Sequence, residues 1–287
     1  MTRLEDYDTH NRFEGIVKTT QRITPEKSEE EVRDIILEVD KRNFTFKVGQ
    51  SIGIIIPGPH ELGHKEHFRL YSISDISESE NGKNPQISIC VKRCSYIDDF
   101  SGERYDGIAS NYLCDRKVGD KIILTGPYGL PFELPKENTS NLLMIGLGTG
   151  IAPFRAFIKH IYNTLGGWKG KVRLFYGARS GLEMLYQNDQ KNDLANYYDN
   201  STFKAFEAVS PRPHMDDPIA LDESLEKRSK EVWKMILDPQ THVYIAGIEN
   251  IREMLDKAFI TMAGSKEMWE RRKAELIAGK RWNEVIY

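Results

Sequence analysis

Three cysteines, Cys90, Cys94 and Cys114, are all that the 287 residues hold, an odd number with no Cys-x-x-Cys pair among them. A four-thiolate iron–sulfur cluster needs one more, and a zinc site needs histidines that do not cluster near these thiols. The cysteines are therefore read as reduced and structural. No apolar run approaches the roughly 18 residues of a membrane span, and the opening MTRLEDYDTHNRFEG lacks the apolar centre of a signal peptide, so a cytoplasmic location is expected. Positive charge is also scarce. The net charge is -3, with 18 Lys and Arg against 23 Asp and Glu in residues 1–135 and 22 against 20 in residues 136–287. Neither half is basic enough to expect nucleic acid as a partner.

What is present divides in two. Between Phe13 and about Thr125 the periodic segments are short and strand-like: GIVKTTQRI, VRDIILEV, SIGIIIP, LYSIS, QISICVKR and KIILTG. Gly53, Pro57-Gly58-Pro59, Asn81-Gly82 and Gly119-Asp120 read as turns between them. Six strands with little helix imply an antiparallel β-barrel or sandwich. One short helix is expected over SNYLCDR, residues 110–116, with Ser110 as its cap. After Pro135 strands alternate with helices: NLLMIG, PFRAFIKHIYNTL, VRLFYGAR, a helix near LEMLYQNDQKNDLANYY, FKAFEAVS, SLEKRSKEVWKMIL, HVYIAG and NIREMLDKAFITMA. That alternation predicts an α/β doubly wound parallel sheet. The join falls in the proline- and glycine-rich stretch 126–139, giving domains 1–135 and 136–287.

Between the apolar strand NLLMIG and the helix PFRAFIKHIYNTL lies Gly146-Leu147-Gly148-Thr149-Gly150-Ile151-Ala152-Pro153. A helix N-terminus presents unpaired N–H groups and partial positive charge, and glycine lets a phosphate approach the backbone closely. The loop has no Gly-Lys-Ser or Gly-Lys-Thr, which argues against a nucleotide hydrolase of the P-loop kind, and it departs from strict GxGxxG spacing. The strand ends at Arg179, at Ser210 and Arg212, and at Gly247 and Ile248 are where an open parallel sheet places ligand contacts. Arg179 and Arg212 could pair with a nucleotide 2'-phosphate through guanidinium geometry. In the first half, Arg69-Leu70-Tyr71-Ser72 offers a cation for a pyrophosphate, a ring to stack on a flavin and a hydroxyl for its N5 edge.

With these motifs in order, the chain resembles the plant-type ferredoxin–NADP(H) reductases: RLYS at 69–72, CVKR at 90–93, GIASNYLCD at 107–115, LTGPYG at 124–129, GTGIAPFR at 148–155, AVS at 208–210 and the closing RWNEVIY. The resemblance implies a β-barrel domain for FAD, 1–135, and an α/β domain for NADP(H), 136–287. It implies that Arg69 meets the FAD pyrophosphate, Tyr71 packs on the flavin and Ser72 sits beside N5, with Leu70 between them. Cys90, Val91 and Lys92 would line the flavin, Tyr96 would stack on the adenine, and Ile108, Ala109 and Ser110 would offer amides to the pyrophosphate. Thr149, Gly150, Arg179, Ser210, Arg212, Gly247 and Ile248 would form the NADP(H) surface. Tyr287 would cover the open flavin face until the nicotinamide displaces it. Ser72, Tyr71, Tyr287 and Glu284 are the catalytic candidates.

Three departures from the family pattern qualify these assignments. Ala246 stands where a cysteine neighbours the nicotinamide, and Val285 stands where the family has a glutamate, with Glu284 one place early. Nothing in PRPHMDDPIALDESLEKRSK matches the tyrosine and glutamine that grip the 2'-phosphate, so NAD(H) stays open as an alternative coenzyme. A ferredoxin or flavodoxin partner would be acidic, and Arg12, Arg33, Lys65, Lys92 and Arg93 are the candidate docking cations. A second run, Arg271, Arg272, Lys273, Lys280 and Arg281, falls on a helix expected around Glu270 to Trp282. The alternative readings are the NAD(P)H reductase component of an oxygenase system, and a flavin-binding interaction or sensor protein that does not turn over.

Overall fold

The computed structural model describes residues 4–40, 45–60, 65–78, 84–98, 100–129, 132–215 and 217–287. Its contacts divide the chain into two compact units, Met1–Leu130 and Pro131–Tyr287.

In the first unit the strands are β1 (Arg12–Arg22), β2 (Val32–Val39), β3 (Ser51–Pro57), β4 (Glu66–Glu78) and β5 (Pro85–Lys92), then β6 (Ser95–Ile97), β7 (Arg104–Asp106) and β8 (Lys121–Tyr128). Six of them close an antiparallel barrel in the order β1-β2-β5-β4-β3-β8. Their β-branched and leucine side chains fill its interior: Val17, Ile35, Leu37, Ile52, Ile54, Ile73, Ile89 and Leu124 are all fully buried. Gly53, expected at a turn, lies in the middle of β3, where a Cβ would come within 2.5 Å of the Phe68 ring and 2.7 Å of the Thr125 methyl. The glycine is required by close packing, not by a bend. β6 and β7 form a separate hairpin of three residues per strand, too short for a periodic signal. The turn expected at Asn81-Gly82 lies outside the described residues.

The short helix α1 spans Ile108–Cys114, two residues earlier than its sequence reading, and Gly107, not Ser110, is its N-cap. Ser110 stands inside the first turn, where its hydroxyl donates to Gly107 O at 3.2 Å and accepts from Cys94 N at 3.1 Å. The side chain is spent on joining α1 to the segment after β5.

In the second unit β9 (Asn141–Leu147), β10 (Val172–Ala178), β11 (Phe203–Val209), β12 (Thr241–Gly247) and β13 (Trp282–Ile286) form one sheet in the order β11-β10-β9-β12-β13. All four pairings are parallel. The helices are α2 (Ile151–Lys159), α3 (Leu221–Glu226), α4 (Ser229–Leu237), α5 (Ile251–Ala263) and α6 (Lys266–Ala278). Because the chain runs outward from β9 to β11 and then returns to β12 on the other side of β9, the order reverses between β9 and β12. Their carboxyl ends are the topological switch point where such sheets hold ligands.

Three expectations fail here for local reasons. Residues 182–198 form no long helix: Gly181–Glu183 and Leu194–Tyr197 are single 3-10 turns, Tyr186 has φ +62°, and the Asn188 side chain accepts from the amides of Gln190 and Lys191. The stretch 224–237 breaks at Arg228 into α3 and α4. The helix expected to reach Trp282 stops at Ala278, and the closing residues return as the edge strand β13. Among the described residues no helix is long and apolar enough to cross a membrane.

Candidate functional site

In the first unit the sequence-predicted residues come together on adjoining elements. β4 carries Arg69 to Ser72 opposite β3, with Tyr71 facing Ile52 and Ser72 facing Ser51. β4 also pairs with β5, which ends at Cys90, Val91 and Lys92, and α1 packs against β3, β4 and β5. Tyr71 is half-buried against the barrel core, and burial, with Cys94 and Cys114 nearby, pushes its phenol above the ordinary range. It stays a neutral ring suited to stacking. Arg69 is exposed and donates to Phe68 O at 2.9 Å, leaving the rest of its fork toward solvent. Ile108 is half-buried, while Ala109 and Ser110 are buried.

Tyr96 is 55% exposed and stacks on Tyr105 at 5.6 Å across the β6–β7 hairpin, which gives an aromatic platform open on one side. Cys90 and Cys114 are buried, and none of the three cysteines is in a disulfide. Burial pushes the Cys114 thiol up to about 12, so it stays protonated and structural.

In the second unit the glycine turn Gly148–Gly150 links β9 to α2 at the switch point. Its two glycines have different reasons. Gly148 has φ +58° with no atom within 4 Å of where a Cβ would stand, an open cradle over the backbone. At Gly150 a Cβ would lie 2.0 Å from the carbonyl oxygen of Ala246, so that glycine lets the turn pack on β12. Gly247 is less confined, a Cβ there standing 2.9 Å from the Leu147 Cβ, whereas Ile248 beyond it is exposed. The open backbone at Gly148 and the start of α2 suit a dinucleotide phosphate. Tyr287 donates its backbone N–H to Gly247 O at 3.1 Å, and its hydroxyl lies 2.9 Å from that of Thr149.

Arg179, Ser210 and Arg212 also meet, beyond β10 and β11. Ser210 N donates to Arg179 O at 3.2 Å, and an Arg179 Nη donates to Pro213 O at 3.0 Å. The Ser210 hydroxyl is turned onto the carbonyl of Asp217. Arg212 Nε donates to Asp217 Oδ2 at 2.8 Å. Asp217 escaped the sequence reading because it lies in the loop beyond β11, not at the end of the strand after the glycine turn, where an acidic residue meets a ribose. Glu284 has both carboxylate oxygens engaged within this unit, by Arg252 Nε at 2.8 Å and by the Trp282 indole at 2.6 Å. Val285 beside it is half-buried.

The candidate docking cations are mostly neutralised. Arg12 forms a two-pronged pair with Glu66, Lys92 binds Glu30, and Arg33 and Arg93 share Glu31. On α6, Arg271 and Arg272 pair with Glu275 and Lys273 with Asp256. Arg272 also donates to Ile236 O, which fastens α6 to the end of α4. Lys65 is exposed.

Residues 144–257 match the oxidoreductase NAD-binding domain. The chain is 32% identical to a ferredoxin–NADP reductase of Picosynechococcus over 89% of its length, spanning 65% of that relative. It is 31% identical to the cyanelle ferredoxin–NADP reductase of Cyanophora paradoxa, covering 96% of this chain and 77% of the relative. The fold superimposes on ferredoxin-NADP+ reductase from Plasmodium falciparum with a TM-score of 0.72 over 98% of both chains, at 24% identity. With this identity carried through both the barrel and the parallel sheet, the chain belongs to the ferredoxin–NADP reductase family.

Proposed function

We propose that this protein is an FAD-dependent ferredoxin– or flavodoxin–NADP(H) oxidoreductase, with FAD on the barrel unit and NADP(H) on the parallel-sheet unit. The open cradle over Gly148 at the switch point carries the reading, because a backbone left bare at that position admits a dinucleotide phosphate. Bound FAD would supply the link between hydride exchange with the nicotinamide and single-electron exchange with the carrier. The protein's residues bind and orient. Arg69 supplies countercharge to the FAD pyrophosphate, with the amides of Ile108, Ala109 and Ser110 beside it. Tyr71 offers its ring to the flavin, Ser72 a hydroxyl to the flavin edge, and Tyr96 a platform to the adenine. Cys90, Val91 and Lys92 line the flavin.

Thr149 and its glycines, with Arg179, Ser210, Arg212, Gly247 and Ile248, form the nucleotide surface, and Tyr287 closes over it. Glu284 is assigned to holding β13 on α5. Thiols outside any disulfide suit a cytoplasmic setting.

The test is direct. The FAD-loaded protein, mixed without oxygen with NADPH and then NADH, is expected to lose its yellow colour rapidly with NADPH; no bleaching with either would sink the proposal. Cytochrome c reduction that depends on added ferredoxin and weakens with salt then identifies the carrier. Ferredoxin-independent reduction at full rate would count against it.

A further inference from the structure

We infer that Asp217 sets coenzyme selectivity: its carboxylate competes with the 2'-phosphate of NADP(H) for Arg212, so the site accepts NAD(H) as well. The inference rests on the nucleotide-binding reading of the second unit. Arg212 is an exposed cation at this strand end, with 66% of its side chain accessible against 22% for Asp217. Its guanidinium meets Asp217 side-on, Nε to Oδ2 at 2.8 Å and an Nη to Oδ1 at 3.5 Å.

The carboxylate is preset, not a swinging surface group. Asp217 N donates to Arg212 O at 3.4 Å, the Ser210 hydroxyl holds Asp217 O, and Met215 N donates to Arg212 O at 2.9 Å. The loop after β11 is thereby folded back so that the acid faces the base. Arg179 is drawn onto the same loop through Pro213 O at 3.0 Å.

A 2'-phosphate reaching Arg212 must replace a bond already made and stand next to a like charge. A ribose 2'-hydroxyl meets neither obstacle, since it can donate to the carboxylate. The two arrangements that distinguish NADP from NAD sites are both present here and oppose one another.

Calorimetric titration with 2'-phospho-AMP and with AMP tests this on the FAD-loaded protein. In Asp217→Asn the preference for 2'-phospho-AMP over AMP is expected to rise roughly tenfold, the scale of one released charge-assisted pair. Asp217→Glu should restore the parent ratio. In turnover KM for NADPH should fall while kcat holds. A merely structural role would weaken both fragments together, so an unchanged ratio in Asp217→Asn overturns the inference while leaving nucleotide binding intact. Absence of binding by either fragment to the parent overturns the underlying reading with it. Asp217→Ser, checked by circular dichroism, serves if the asparagine variant misfolds.

Discussion

The phenol oxygen of Tyr287 stands 2.9 Å from the hydroxyl of Thr149, the middle residue of the glycine turn. The parallel pairing of β13 with β12 carries Tyr287 to this position, and its N–H on Gly247 O fixes the backbone. The residue is nevertheless 56% exposed, with its hydroxyl set against that of Thr149. A nucleotide entering over Gly148 would meet this Tyr287–Thr149 hydroxyl contact.

Removing that contact should favour the nucleotide. Tyr287→Phe deletes one neutral hydrogen bond, worth about 1 kcal/mol or roughly fivefold in occupancy. Tyr287→Ser, which also removes the ring, should bind NADP+ more tightly still and release it more slowly. Equilibrium titration and stopped-flow release measure both. Unchanged affinity and turnover in the serine variant would rule out the gating role.

The two turn glycines should fail in different ways. An alanine at Gly150 places its Cβ 2.0 Å from Ala246 O, an overlap that backbone cannot relieve cheaply, so Gly150→Ala should cost the second unit about 3 kcal/mol or its fold. Gly148→Ala meets no atom and pays only for φ +58°, about 1 kcal/mol. It should stay folded yet bind nucleotide poorly. Thermal melts beside a nucleotide titration separate the two, and equal effects on both readouts would defeat the distinction.

Glu284 tests whether proximity to the family glutamate position means function. With Arg252 and Trp282 on its two oxygens, Glu284→Ala should lower stability by about 1–2 kcal/mol and leave hydride transfer from NADPH near the parent rate. A double-mutant cycle with Arg252→Ala isolates the pair. A large fall in the hydride-transfer rate with stability intact would make Glu284 a participant in the reaction.

Much of this architecture was legible from spacing. VRDIILEV and SIGIIIP coincide with β2 and β3 because buried β-branched runs bounded by turn residues have few other uses. The site strings drew notice for a related reason: a cation, a ring and glycines fall on strands or strand ends, where ligands are expected. The helix over 182–198 failed through a local turn at Asn188 that apolar periodicity does not register. Other failures came where tertiary contacts decide: nothing local shows that Gly53 serves a crowded strand pair. Asp217 acts through Arg212 five residues away, in a loop whose folding depends on Ser210. The pairing of Glu284 with Arg252, on another element, is likewise invisible in the sequence.

The barrel unit should lose part of its stability in acid at Glu31. Burial alone would raise the Glu31 carboxyl, but hydrogen bonds from Arg93 and Arg33 outweigh it and hold the group below its ordinary range. Arg93 also donates to Asn111 and Asp115, each at 2.8 Å, so the same guanidinium fastens α1 to the start of β2. A carboxyl depressed in the folded state stabilises fully above its unfolded value of 4.5 and loses that contribution as pH falls through its folded value. Glu31→Gln should therefore be less stable at neutral pH, by about 1–2 kcal/mol, and should lose less on acidification below pH 4.5. Urea unfolding at successive pH steps measures this directly. Parallel curves for parent and variant would show that the Glu31–Arg93 pair contributes nothing to the acid response.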